Sequence, residues 1–271
     1  MAIQTQHTQA STMDMSSLFD DYGRCLPQGT TSQVHAQIRR YYEIKQPELD
    51  YATVFSRIRS NFGKSTQLTI DLFAKKIKAI QTNLESSAAT RNITQGIMVP
   101  FFIPRLSFTD IGETLETLFI PTVGKSYAQK FPDYQFVSHI VGSLKGLLTV
   151  AAGSRHDKLL QRLTQEDVVG IYFPCLLEYS VPATREIIAN LPKEFLLSGG
   201  FDTVAAIIGS PDLLFNKEKY TPLLWFSGLE AEKHTIGYHF EAYGYNLTFN
   251  RKGHFGNVSE YWNSGLTVLS D

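Results

Sequence analysis

The sequence predicts a mixed α+β protein: a mainly helical N-terminal portion packed with a C-terminal portion of alternating strands and helices that ends in an antiparallel sheet. Three observations carry that prediction. Before about residue 165, apolar residues recur at three- and four-residue spacing, the period of a helix that buries one stripe. After it, β-branched and aromatic runs are punctuated by Pro and Gly, as where strands alternate with helices. Hydrophobic residues make up 43% of the 271 and charged residues 19%, enough apolar material for a core that needs no disulfide.

Residues 1–31 are polar and read as a tail or docking arm. Their apolar patch, Met15, Leu18, Phe19 and Tyr22, is too small to hold a fold. Leu18, Phe19 and Tyr22 fit one helical face, which suits docking on this chain or on a partner. Residues 32–165 form the helical portion, with one continuous domain running on to 271 as the alternative. Helices are expected over 32–43, over 50–62 behind a capping Asp50, and over 66–84, where Leu72, Phe73, Ile77, Ile80 and Leu84 share a stripe. The apolar run 97–103 contains Pro100 and precedes Pro104, which fits an edge strand. A further helix starts near Thr109, with Asp110 and Glu113 in its first turn, and ends at Pro121. The segment 134–152 reads as a buried helix with Ser138, Gly142 and Gly146 in register on one side.

Residues 166–271 form the α/β portion. Strands are expected at 168–177, 194–197 and 223–226, with helices at 182–191 and 202–208. Within 236–249 the apolar phase flips: Ile236, Tyr238 and Phe240 lie on one face, and Tyr243, Tyr245, Leu247 and Phe249 on the other. A bulge or tight turn near 241–244 is therefore required. A hairpin turn is expected at 250–253, then a strand over 254–262.

Composition excludes several functions. Lys plus Arg number 25 against 26 Asp plus Glu, so no nucleic-acid footprint is expected, and Lys75, Lys76 and Lys78 read as a solvated face. No run reaches the length of a membrane span. Cys25 and Cys175 stand 150 positions apart outside any metal-binding spacing, and the polar N-terminus lacks a signal-peptide pattern, so a soluble cytoplasmic protein without metal or cofactor is expected. Val123-Gly124-Lys125-Ser126 lacks the first Gly of a phosphate-binding loop. His239 and Glu241 form an H-x-E triplet, but no second Cys exists beside Cys175 to complete a zinc site. Cys175, in an apolar run, is expected to behave as a buried hydrophobe.

Two readings of function follow. No paired catalytic groups are visible, which favours a non-catalytic protein-interaction or scaffold subunit of a larger assembly, or a homodimer. Its contacts would be Leu18, Phe19 and Tyr22 in the arm and Tyr243 and Tyr245 in the aromatic-rich sheet. The alternative is an enzyme or sensor for an anionic small molecule at the loop 197–202. There Gly199 and Gly200 would offer backbone amides at a helix start, with Asp202 competing for them as a cap.

Overall fold

The computed structural model describes residues 17–63 and 66–271; Met15 of the N-terminal patch lies outside the described residues. Residues 17–50 form no helix; they run as a strap across the C-terminal portion. Beyond a local turn at 18–26, backbone groups of this strap pair with distant residues: Cys25 N–H donates to the Cys175 carbonyl at 2.9 Å, His35 N–H to Glu178 at 3.1 Å, and Glu43 N–H to Tyr220 at 2.9 Å. The helix expected over 32–43 is thus absent. Arg40 sits at φ +51°, in the left-handed region that a right-handed helix cannot include. Leu18, Phe19 and Tyr22 do not share a helical face either, because Phe19 bridges to Cys25 and packs on Phe195 with ring centroids 5.7 Å apart.

The expected helices appear next. Asp50 accepts the Ala52 N–H at 3.1 Å and starts α1 (Tyr51–Phe62), which buries Val54, Phe55, Ile58 and Phe62. Thr69 caps α2 (Ile70–Ser86), which buries Phe73, Ile77, Ile80 and Leu84. The run with Pro100 becomes β1 (Val99–Ile103), at the sheet edge where a missing N–H is tolerated. Asp110 caps α3 (Ile111–Thr114). Pro121 does not end the helix: a π-turn over Leu115–Phe119, closed by Ile120 N–H to Leu115 O, leads into α4 (Ile120–Lys130) with Pro121 in its first turn. The extra residue of that turn shifts the register where Pro lacks a donor.

The buried helix expected over 134–152 does not form. That segment holds β2 (Phe136–Ser138) and β3 (Leu148–Val150), with Val141 98% exposed between them. Gly142 and Gly146 sit at φ +84° and +74°, so the spacing that imitated a small-residue stripe marks two turns. Beyond α5 (Asp157–Leu163), β4 (Val168–Phe173) is buried along its length. Then come α6 (Val181–Ile187), β5 (Phe195–Leu197) and α7 (Gly200–Gly209). Every residue of α7 is buried, as befits a helix whose only polar side chains, Asp202 and Thr203, lie in its first turn.

The remaining strands are β6 (Leu223–Trp225), β7 (Leu229–Ala231), β8 (Ile236–Tyr243), β9 (Asn246–Gly253), β10 (Trp262–Ser264) and β11 (Leu266–Leu269). The phase flip at 236–249 is a tight turn: the chain reverses at Gly244 and Tyr245, pairing Tyr243 with Asn246 and Phe240 with Phe249. Because the reversal comes there, residues 250–253 are not a turn but continue β9 against Ile236 to His239. The turn lies at 254–257, with Phe255 and Gly256 at positive φ, so the strand expected over 254–262 is reduced to β10.

One four-stranded antiparallel sheet has the order β1-β4-β11-β5, and a mixed five-stranded sheet the order β10-β6-β8-β9-β2; β3 and β7 pair separately. The first sheet therefore joins a strand from the helical portion to strands from the α/β portion. The main apolar core runs from Phe19 to Val268, beside a smaller cluster of Val181, Leu223, Trp225 and Trp262, and no described helix is long and apolar enough to cross a membrane.

Candidate functional site

The turn of the β8–β9 hairpin projects Tyr243 and Tyr245, with Gly244 at φ +61° between them. Opposite stands the loop after α7, shaped by Asn216, whose side-chain oxygen accepts the N–H groups of Glu218 at 2.9 Å and Lys219 at 3.1 Å. The strap supplies a third wall, tied to that loop by the Glu43–Tyr220 backbone bond and by Lys219 Nζ to Glu43 at 2.9 Å. Between them opens a cleft of about 680 Å³ lined by Tyr42, Tyr220, Tyr243, Tyr245 and Tyr261. Tyr42 packs against Tyr261 with centroids 5.8 Å apart, and Tyr41 stacks on Tyr220 at 6.0 Å. Tyr220 and Tyr243 nonetheless remain 68% and 78% exposed.

Charges of both signs border these rings. Lys217 lies 6.0 Å from the Tyr245 centroid, and Lys252 lies 5.0 Å from that of Tyr261 while donating to its hydroxyl at 2.5 Å. Glu241 lines the cleft and meets His239 Nε2 at 3.4 Å. That hydrogen bond holds the Glu241 carboxyl below its usual range, while burial pushes His239 down. The pair therefore presents a carboxylate beside a neutral imidazole at neutral pH.

A second cleft, of about 530 Å³, adjoins the first across Tyr42 and contains Tyr22, Arg24, Arg40, Gln46, Cys175 and Asn263. Asp20 organises it: its Oδ1 accepts the Tyr22 and Arg24 N–H groups at 2.9 Å each, and its Oδ2 takes Arg40 Nη2 at 2.7 Å. The Arg40 guanidinium lies 4.0 Å over the Tyr22 ring. The strap also brings the two cysteines together through the Cys25–Cys175 backbone bond. Burial raises the Cys25 thiol to about 12 and lifts Cys175 as well, so both are small apolar groups, as expected for Cys175.

No family model, curated protein or solved structure matches this chain.

The geometry itself sorts the residues singled out in the sequence. Gly199, Gly200 and Asp202 come together but are buried in the interior, and neither cleft includes them. Gly199 is the N-cap of α7, and Asp202, three positions on, reaches back to accept the Gly199 N–H at 2.9 Å, the Thr203 N–H at 3.0 Å and the Thr267 hydroxyl at 2.7 Å. The carboxylate thus holds the Gly199 amide that an anion would need. A Cβ at Gly199 would stand 2.4 Å from His156 Nε2 and one at Gly200 2.6 Å from Leu115, so glycine there serves close packing. Phe19 is spent in the core and Leu18 is half-buried, whereas Tyr22 lines the second cleft. Residues the sequence did not single out for a site complete both clefts: Tyr42, Tyr220 and Tyr261 beside Tyr243 and Tyr245 in the first, and Arg24 and Arg40 beside Tyr22 in the second. The one local signal was the run Arg39-Arg40-Tyr41-Tyr42, which fits no apolar stripe. Among the described residues no group of His, Cys, Asp and Glu could hold a metal ion.

Proposed function

We propose that this protein is an interaction component that takes up a segment of a partner polypeptide in the tyrosine-lined cleft. The observation carrying the reading is the convergence of five tyrosines from the strap, the loop after α7, the hairpin turn and the segment before β10. Most large aromatics of the chain are buried, yet here Tyr42 packs against Tyr220 and Tyr261, and Tyr220, Tyr243 and Tyr245 keep faces open to solvent. Tyrosine suits such a surface because it buries much area at the cost of only two side-chain torsions, and it is enriched at interface hot spots. Glu241 and Lys217 add polar contacts that orient a segment.

The test is site-specific photocrosslinking in the source cell from position 243 or 220, with Lys158, which lines neither cleft, as control. A discrete crosslinked protein from 243 and 220 and none from 158 is expected. Combining Tyr220→Ser with Tyr243→Ser should reduce co-purification of that protein at least roughly tenfold. Equal labelling from all three positions would refute the reading.

A further inference from the structure

The cleft beside Arg24 and Arg40 has a different chemistry from its tyrosine-lined neighbour. We infer that it binds a small organic carboxylate that carries a hydrogen-bond donor and an apolar body. Three features define the ligand.

The first is paired guanidinium groups. Arg24 is buried, and donates from Nε to Leu177 O at 3.0 Å and from Nη2 to His35 O at 2.6 Å; its Nη1 makes no hydrogen bond to the described residues. Arg40 uses Nη2 on Asp20 and keeps its other donors. Asp20 is the carboxylate between them, and its oxygens already accept from Tyr22, Arg24 and Arg40. Among the nearby acids, Glu43 is paired with Lys219, and Glu178, outside the lining, is held by His35 Nδ1 at 2.6 Å. Asp20 and, beside Arg24, Glu178 already offset part of the guanidinium charge, which favours a singly charged carboxylate over a doubly charged phosphate. The planar guanidinium fork matches carboxylate geometry.

The second feature is Asn263, which is 2% exposed. Its Nδ2 donates to Pro174 O at 3.0 Å, which fixes the amide orientation and leaves Oδ1 as a buried acceptor without a partner. A buried acceptor left unpaired is costly, and an N–H or O–H on the ligand relieves it. The third is the lining between these polar ends, where Ile44, Ile97, Pro174, Leu177 and Pro222 supply apolar surface. The volume of about 530 Å³ lies within the range of small-molecule sites.

Titration calorimetry on the full chain tests this with N-acetyl derivatives of glycine, leucine and phenylalanine, each as the free acid and as the primary amide. The acids should bind, with affinity rising from glycine to the larger side chains, and each amide should bind at least roughly tenfold more weakly. Arg40→Gln should weaken the acids by a similar factor and leave the amides unchanged. The acid-to-amide comparison on the unmodified protein needs no variant. Acids and amides binding alike, no acid binding up to about 10 mM, or phenyl phosphate binding more tightly than every acid would overturn the assignment.

Discussion

The turn before α7 and the turn at Gly244 are both glycine-bearing reversals flanked by polar and aromatic side chains, yet they end in opposite conditions. At Gly199 the buried Asp202 carboxylate takes two amides and a hydroxyl inside the protein. At Gly244 Tyr245 packs on Phe215 while Tyr243 and Tyr245 both keep a face toward solvent. The first arrangement encloses its carboxylate among interior partners; the second leaves aromatic surface uncovered. A polar motif at a helix start is therefore weaker evidence for a site than an aromatic surface the fold leaves uncovered.

That contrast can be broken at several points. Asp202→Ala should cause the largest loss of stability, about 3 kcal/mol, because it strands the amides of Gly199 and Thr203 in the interior; urea unfolding measures it, and a variant as stable as the parent would remove the structural reading of that turn. Gly199→Ala should cost about 1–3 kcal/mol through its clash with the His156 ring, read as a lower unfolding midpoint.

Acid should act through buried histidines. Burial lowers the pKa of His156, His239 and His254, the last to about 4. The unfolded chain, with histidines near about 6.5, then binds protons before the folded one does. Stability is full above about pH 6.5 and falls as pH drops toward about 4, where His254 protonates in the folded state as well. Protonation would also remove the His254 Nδ1 acceptor that now receives the Gly256 N–H at 3.2 Å. His254→Gln should flatten the pH dependence of the urea midpoint, and a midpoint that rises on acidification would contradict the argument. The smallest effect belongs to Tyr243→Ser, which should change stability by less than about 0.5 kcal/mol while reducing partner recovery; loss of stability without loss of binding would reverse the roles assigned to the two turns.

Much of this architecture was legible where the signal was local. Asp50 and the stripe Val54, Phe55, Ile58 and Phe62 marked α1, Pro100 marked an edge strand, and the phase flip around Ala242 marked the reversal at Gly244. Readings failed where a few backbone angles overruled periodicity: Gly142 and Gly146 at positive φ dissolve the helix expected over 134–152, and Arg40 does the same over 32–43. Pro121 misled for a different reason, since a π-turn can carry a helix past a missing donor. Of the tyrosine cleft, only the pair on one hairpin could be read, because Tyr42, Tyr220 and Tyr261 reach it from distant segments through long-range pairing. The meeting of Arg24, Arg40 and Asn263, like that of Cys25 and Cys175, depends on where the strap is laid down, which no nearby residue announces.

The position of β11 bears on how the molecule assembles. Residues 266–269 lie between β4 and β5, so the four-stranded sheet has a gap at its centre until a segment far along the chain arrives to close it. Contacts of such sequence separation slow folding because much chain must be confined before they form. Folding should accordingly be slow for the size of the protein, and before β11 docks the exposed edges of β4 and β5 are the places where a half-folded chain would pair with another copy.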